Sequence, residues 1–465
     1  MFMPDNTVFE PVKNINMAYE RTKNARLPMA ERLTTFDEVE QTYTLEEALL
    51  EASRCMGCPS RWCSKECPAG MPVPEFIKKI RAEDYEGAYE LITSASTLPE
   101  FCSRLCPQEK QCQSNCTRSI RSEAVGIGRL ERFVVEQHYA SGKAETCAPD
   151  TGKSVAVVGS GPSGLSAAVT LRKLGHAVTV IDSAEHPGGL LRYGIPNMKL
   201  EKGTLDRKID AMLQMGISFQ TGLVVDAETL ETLKANYDAV VLAIGTGNAR
   251  KLSLEAQGVH YAVDYLSGNG TAEGKDVIII GGGDTGNDCV GTAVRQGAAS
   301  ITQIEMLPKV TKPQVIYSPL VERQKEAKFD SSQEECLNKF LKDPHIYQAT
   351  VKAVSTDENG VLKSVTVVSL EAKYDENRRL KMVEIPGSEK EYPCGLLLIA
   401  AGFLGPKAEN LGVDLTPRTN IAAEGYKTSQ DKVYACGDCR TGQSLVVKAM
   451  VDGRECAKAV DAALK

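Results

Sequence analysis

Apolar residues in the first third of the chain recur at helical spacing, whereas further on they come in short unbroken runs. TLEEALLEASRC (44–55) is amphipathic, and Thr44 with Glu47 three residues on carries the signature of a capping box. PVPEFIKKIRAEDYEGAYELITSAS keeps the 3.6-residue period through Phe76, Ile77, Ile80, Tyr85, Ala88 and Leu91. Residues 1–140 are expected to form a small, mostly helical domain, and the polar, turn-rich stretch 141–153 a linker. Beyond it, VAVVG, AVTVID, AVVLAIG, DVIIIGGG and SITQIEML are β-branched runs of strand length, separated by helix-like segments such as LSAAVTLRKLG. Strands alternating with helices predict an α/β fold built on parallel sheets.

Two of the strand–helix junctions are rich in glycine. SVAVVGSGPSGLSAA sets Gly159, Gly161 and Gly164 in G-x-G-x-x-G, with Pro162 and Ser163 inside the motif. DVIIIGGGDTGNDC repeats it with Gly281, Gly283 and Gly286, enclosing Asp284 and Thr285. In such a motif the first glycine makes the tight turn and the second lets a pyrophosphate approach the backbone. The third lets helix and strand pack closely, and the helix N-terminus faces the phosphates. Asp182, eighteen residues after Gly164, and Glu305, nineteen after Gly286, end the following strands, where a carboxylate can bind ribose hydroxyls.

Two complete fingerprints suggest two dinucleotides, the arrangement of enzymes that pass a hydride from a nicotinamide to a flavin. YDAVVLAIGTG (237–247), which contains Gly245, and YPCGLLLIAAGF (392–403) are short strands ending in glycine on either side of the second fingerprint. The pattern predicts a nicotinamide domain inserted into a flavin domain. The FAD-binding domain then runs over 154–250 and 391–465, and the NAD(P)H-binding domain over 251–390. KVYACGDCRTGQSLVVKAM places Gly437 and Asp438 between a strand and a helix, positioned for flavin ribityl or phosphate groups.

The net charge of -7 argues against nucleic acid or an anionic membrane surface as main partner. Runs such as VIII (277–280) and LLLIAA (396–401) are too short to span a bilayer. MFMPDNTVFEPVKN has neither the positive nor the apolar region of a signal peptide, so a cytoplasmic location is expected. In that reducing compartment, clustered cysteines point to metal or catalysis rather than disulfides. Eight of the fifteen cysteines form two sets, C-x2-C-x4-C-x3-C-P from Cys55 and C-x3-C-x5-C-x3-C from Cys102. Zinc is the competing use of such cysteines. Beside a flavin domain, two iron–sulfur clusters that drain electrons singly are the better one, and the closing Cys-Pro resembles two-cluster ferredoxins. The five histidines lie apart in the sequence and suggest no catalytic acid–base set. Hydride transfer depends on cofactor placement and electrostatics, so the chemistry is assigned to FAD.

Nearly the whole chain resembles the small (beta) subunit of glutamate synthase, through RCMGCPSRWCSKECP, TLPEFCSRLCP, GGLLRYGIPNMKL, GGGDTGNDCVGTAVRQGA, EIPGSEKEYP and CGDCRTGQSLVVKAM. The module is shared with dihydropyrimidine dehydrogenase and bifurcating transhydrogenases. The resemblance implies an NAD(P)H-oxidising subunit with FAD and two [4Fe-4S] clusters that serves an FMN-containing large subunit, which makes glutamate from 2-oxoglutarate and glutamine. A stand-alone NAD(P)H–ferredoxin oxidoreductase and a transhydrogenase subunit are the alternatives. It also implies crossed ligation, one cluster on Cys55, Cys58, Cys63 and Cys116, the other on Cys67, Cys106, Cys112 and Glu131, with Cys102 a non-ligand. Gly188, Gly189 and Arg192 are implied to lie against the flavin. Relatives that use NADPH have an arginine pair after the second ribose-facing residue. Here Met306 and Leu307 follow Glu305, so NADH is expected to be preferred.

Overall fold

The computed structural model describes residues 14–23, 25–309, 314–317, 322–325, 330–374, 376 and 380–465; residues 1–13 of the expected helical domain lie outside these. Thr44 and Glu47 form the full capping box of the helix Leu45–Ala52. The apolar stretch after Pro72 is two helices, Val73–Arg81 and Tyr85–Ala95, because Glu83 takes a left-handed φ of 57° and Asp84 caps the Gly87 N–H. Helices Pro99–Leu105 and Ile127–Ser141 follow, and Gly142 closes the last one with φ 68°.

Two five-stranded sheets follow, with every strand pair parallel. The first runs Val433–Ala435, Ala239–Leu242, Ser154–Val158, Ala177–Ile181, Ser218–Gln220. The second runs His345–Tyr347, Ser300–Glu305, Asp276–Ile280, Leu396–Ile399, Val259–Tyr261. A four-stranded antiparallel sheet (Ala349–Thr356, Leu362–Tyr374, Leu380–Glu384, Lys390–Pro393) is appended to the second. The chain thus leaves the first sheet after Leu242 and rejoins it at Val433.

One boundary needs correction. The return to the first dinucleotide domain was expected at 391, yet Leu396–Ile399 pairs in parallel with Asp276–Ile280 and belongs to the second sheet. The reason is the repeat itself. Leu396–Ile399 borders the second glycine strand as Ala239–Leu242 borders the first, so the two similar runs serve different sheets.

The helical domain is not hung on the linker alone. Its Leu98, Phe101 and Cys102 share one buried core with Val155, Val157 and Leu165 of the first sheet and helix. Lys208, buried in the helix Lys202–Gln214, pairs with Glu100 of the helical domain and Glu145 of the linker stretch. Among the described residues no helix is long and apolar enough to cross a membrane.

Candidate functional site

The two glycine turns are built alike, and the space around each glycine separates three roles. Gly159 (φ +102°) and Gly281 (φ +121°) are left-handed, and a Cβ on either would meet a carbonyl of the neighbouring strand's end, Ala243 O at 2.3 Å or Ala400 O at 2.5 Å. Gly164 and Gly286 admit no Cβ either, since it would fall 1.9 and 2.1 Å from the carbonyl of the first glycine of each turn. Gly161 and Gly283 have ordinary extended backbone and open space, with no atom within 4 Å of the added carbon. Packing therefore requires the first and third glycines and leaves open space beside the second. This is the shape a pyrophosphate needs above a helix N-terminus.

Around the first cradle the fold gathers most of the residues expected there. A Cβ on Gly189 would come within 2.8 Å of Gly161 Cα, and the Gly188 N–H donates to Ser160 Oγ. Gly437 presses on Ser163, where a Cβ would lie 2.2 Å from Oγ, and its N–H donates to Asp452. Pro162 takes the first position of the helix Pro162–Lys173, where its missing N–H is no loss. Gly245 follows the strand Ala239–Leu242 with φ +64°, beside the Cys439 thiol. Asp438 accepts from Ser444, and burial pushes its carboxyl above the ordinary range. Asp182 stands at the tip of its strand but is already engaged: Oδ2 accepts from the N–H and hydroxyl of Ser160, and Oδ1 from the Ala184 N–H. Arg192 is likewise committed, to the Pro187 carbonyl and Asp206.

In the second cradle Asp284 and Thr285 open the helix Asp284–Arg295, with Asp284 exposed. Glu305 ends its strand and leans over the turn. Its Oε1 accepts the Leu307 N–H, and Oε2 lies 2.0 Å from where a Cβ on Gly282 would be. A side chain at Gly282, the middle glycine of GGGD, would have to displace that carboxylate, a constraint the motif does not specify. Met306 and Leu307 are about half exposed beside it, at 48% and 50%.

The cysteines separate into two groups that cross the two sequence sets. Cys55, Cys58 and Cys63 of the first set and Cys116 of the second line one small pocket, walled by Trp62, Ile77, Val125 and Ile127. Burial pushes the Cys55 and Cys63 thiols up to about 12, and their neighbours' charges add to it. Four such thiolates need a cationic centre to coexist. Cys67, Cys106, Cys112 and Glu131 form the other group, each cysteine near enough to feel the glutamate's charge. Glu131 is buried on the helix Ile127–Ser141, burial raises its pKa to about 8, and its Oε1 has no hydrogen-bond partner. An orphaned buried carboxylate oxygen facing three thiols fits a metal ligand. Cys102 is buried beside Cys106, one helical turn back. Among the described residues no three Cys, His, Asp or Glu side chains gather tightly enough for a single ion, and the first thiol group is spread around a space instead. The residues thus fit FAD, a nicotinamide dinucleotide and iron–sulfur chemistry.

Two histidines are used structurally. His138 stacks on Tyr89 at 3.6 Å, and His176 bridges Thr151 and Asp461.

Comparison with known proteins agrees with this geometry. Residues 32–143 match the family described as dihydropyrimidine dehydrogenase domain II, 4Fe-4S cluster, and residues 153–453 the pyridine nucleotide-disulphide oxidoreductases. FprA of Mycobacterium tuberculosis, solved in complex with NADPH, shares the fold with a TM-score of 0.55 at 16% identity, over 68% of this chain and 85% of that one. The fold and its two cradles define an NAD(P)H-dependent flavin oxidoreductase preceded by an iron–sulfur domain. The chain is 37% identical to the glutamate synthase [NADPH] small chain of Bacillus subtilis, over 96% of its length and 97% of that protein. It is 35% identical to glutamate synthase [NADH] of Schizosaccharomyces pombe, over 96% of its length but only 22% of that protein. The chain belongs to the glutamate synthase small-chain family.

Proposed function

We propose that this chain is the small subunit of a glutamate synthase. It oxidises NADH and delivers the electrons singly, through two [4Fe-4S] clusters, to an FMN-containing large subunit that makes glutamate from 2-oxoglutarate and glutamine. Bound FAD supplies the conversion of two-electron to one-electron chemistry. The protein's own part is placement. The turn at Gly161 receives one dinucleotide, the turn at Gly283 the other, and the thiol groups lead away from the first.

The observation that carries this reading is the packing of the two thiol groups. Cys67, Cys102 and Cys106 pack against the flavin-domain core. Cys55, Cys63, Cys112 and Cys116 pack in the core of the helical domain, which Cys67 also borders, so the second thiol group spans both cores and the first stays out of the flavin-domain one. A relay from a flavin outward needs that order. Cys55, Cys58, Cys63 and Cys116 are the ligands we assign to the outer cluster, and Cys67, Cys106, Cys112 and Glu131 to the inner one. Anaerobic purification followed by iron and flavin analysis tests this directly, with about eight irons and one FAD per chain expected for two [4Fe-4S] clusters. Mixing with the large subunit should then restore glutamate formation, which the chain alone should lack. Glutamate formed by this chain in isolation would refute the division of labour.

The preference for NADH rests on Glu305. A carboxylate at the ribose-facing position suits a 2′-hydroxyl and repels a 2′-phosphate. Among the described residues, Arg295 and Lys309 both have partners of their own. Arg295 is buried on Glu335 and the Thr35 carbonyl, and Lys309 lies by Asp343 and the Tyr347 ring. The relatives of matching length are small chains named for NADPH, and those named for NADH are longer proteins of which this chain covers 22%, so a preference for NADH runs against the names of the relatives of like size and rests on Glu305 alone. Steady-state kcat/KM with both cofactors decides, on wild type and on Glu305→Ala, Met306→Arg, Leu307→Arg. A wild-type preference for NADPH would overturn the role given to Glu305.

A further inference from the structure

The loop after the flavin-domain glycines, GIPNMKLEK, sends one lysine across into the nicotinamide domain. Lys199 Nζ lies 2.6 Å from Asp288 Oδ1 and 2.9 Å from Asp330 Oδ2. Asp288 is buried one turn into the second nucleotide helix, two residues past Gly286. Asp330 caps the helix Ser331–Phe340 through the Ser332 N–H and also accepts from Asn287. The bonds continue to the fingerprint. Gln333 donates to Asn287 and Gln303, and Gln303 donates to the Gly281 carbonyl at 2.9 Å. Met198, beside the lysine, rests on the same helix, its Cε 2.4 Å from where a Cβ on Gly291 would be. Ten residues upstream, Gly189 touches Gly161 of the first cradle. One short loop therefore bears on both cradles.

Burial raises Asp288 to about 6, against the opposing pull of the lysine. Lys199 is itself held protonated, because the two carboxylates outweigh its desolvation. A partly buried lysine between carboxylates adds little net stability over apolar residues of the same size. What it supplies is a fixed three-point geometry, which an apolar contact does not impose.

We propose that Lys199 is a positioning residue for hydride transfer: it holds the nicotinamide cradle in register with the flavin cradle, and so governs the approach of the two rings rather than the affinity for either cofactor. The proposal rests on the reading that both glycine turns hold dinucleotides. Affinity is set where the pyrophosphate meets its own turn, on one side of the latch. Hydride transfer instead requires reacting atoms roughly 3–3.5 Å apart across the two domains.

The test uses the full chain, purified anaerobically with its cofactors. Lys199→Met removes the latch, and Lys199→Arg keeps a cation. Because Lys199→Met leaves the buried Asp288 without its cation, a third variant, Lys199→Met with Asp288→Asn and Asp330→Asn, removes the charges together and keeps the fold accessible. Flavin reduction by saturating NADH is followed by stopped flow. Binding of NAD+ is titrated, and the long-wavelength charge-transfer absorbance of reduced flavin with NAD+ is recorded. Both methionine variants should retain FAD and NAD+ binding, lose the charge-transfer absorbance, and reduce flavin about tenfold more slowly or worse, since a 1 Å misplacement costs up to about 100-fold. Lys199→Arg should recover most of the rate and the absorbance. A folded, FAD-replete triple variant with wild-type rate and absorbance would overturn the proposal. So would a defect lying wholly in NAD+ affinity. Wild type without bound FAD, or without any NAD+ binding, would instead remove the two-dinucleotide reading beneath it.

Discussion

Gly283→Ala separates what the second glycine turn does for folding from what it does for binding. Gly283 has φ -85° and ψ -178°, extended backbone open to any residue, and the added methyl meets nothing within 4 Å. Restricting the unfolded chain should therefore leave stability unchanged or raise it by about 0.4–1 kcal/mol. The methyl would, however, fill the cradle through which a pyrophosphate reaches the backbone N–H groups. Loss of one charge-assisted hydrogen bond costs about 1.5–3 kcal/mol. At 1.4 kcal/mol per factor of ten, NADH should bind roughly 10- to 150-fold more weakly. Gly281→Ala is the contrast. Its φ of +121° and a Cβ 2.5 Å from Ala400 O make that substitution strained in the folded state, by about 1–3 kcal/mol or more. Thermal unfolding and NADH titration of the two variants, with FAD content as control, should show opposite patterns. If Gly283→Ala bound NADH as wild type does, or unfolded as early as Gly281→Ala, the assignment of the cradle would be wrong.

Cys102→Ala should leave the iron content unchanged, whereas Cys106→Ala and Glu131→Ala should each lose about four irons, those of one [4Fe-4S] cluster; loss of iron from Cys102→Ala alone would make Cys102 the ligand. Glu136 joins the helical and flavin domains through Arg104 and Arg207. Burial would raise its pKa, but the two guanidiniums outweigh that and lower it from 4.5 to about 2. At ~1.36 kcal/mol per pH unit the pair is worth about 3 kcal/mol, fully present above pH ~4.5 and lost as pH falls toward 2. Denaturant unfolding should therefore show Glu136→Gln less stable than wild type at pH 7, with the gap narrowing below pH 4.5; a gap independent of pH would exclude this origin.

Much of the molecule was legible in the sequence because the information was local. Thr44 and Glu47 specify a helix start within four residues, and each G-x-G-x-x-G lies at a strand–helix junction of the kind its spacing implies. The alternation of strand and helix, hence the α/β class, needed no partner further along the chain. Contacts between distant segments were a different matter. YPCGLLLIAAGF reads like YDAVVLAIGTG, and only pairing decided that Leu396–Ile399 borders the second glycine strand rather than the first. Eight cysteines within about sixty residues carry no statement of grouping. Their spacing would join Cys55 to Cys67, whereas the cavity joins Cys55, Cys58 and Cys63 to Cys116, because packing of the helices between the sets brings the ends together. Lys199 had no signal as a bridge at all. Its two carboxylates lie 89 and 131 residues away, and a lysine in a loop reads as solvated until the tertiary fold sets it between them.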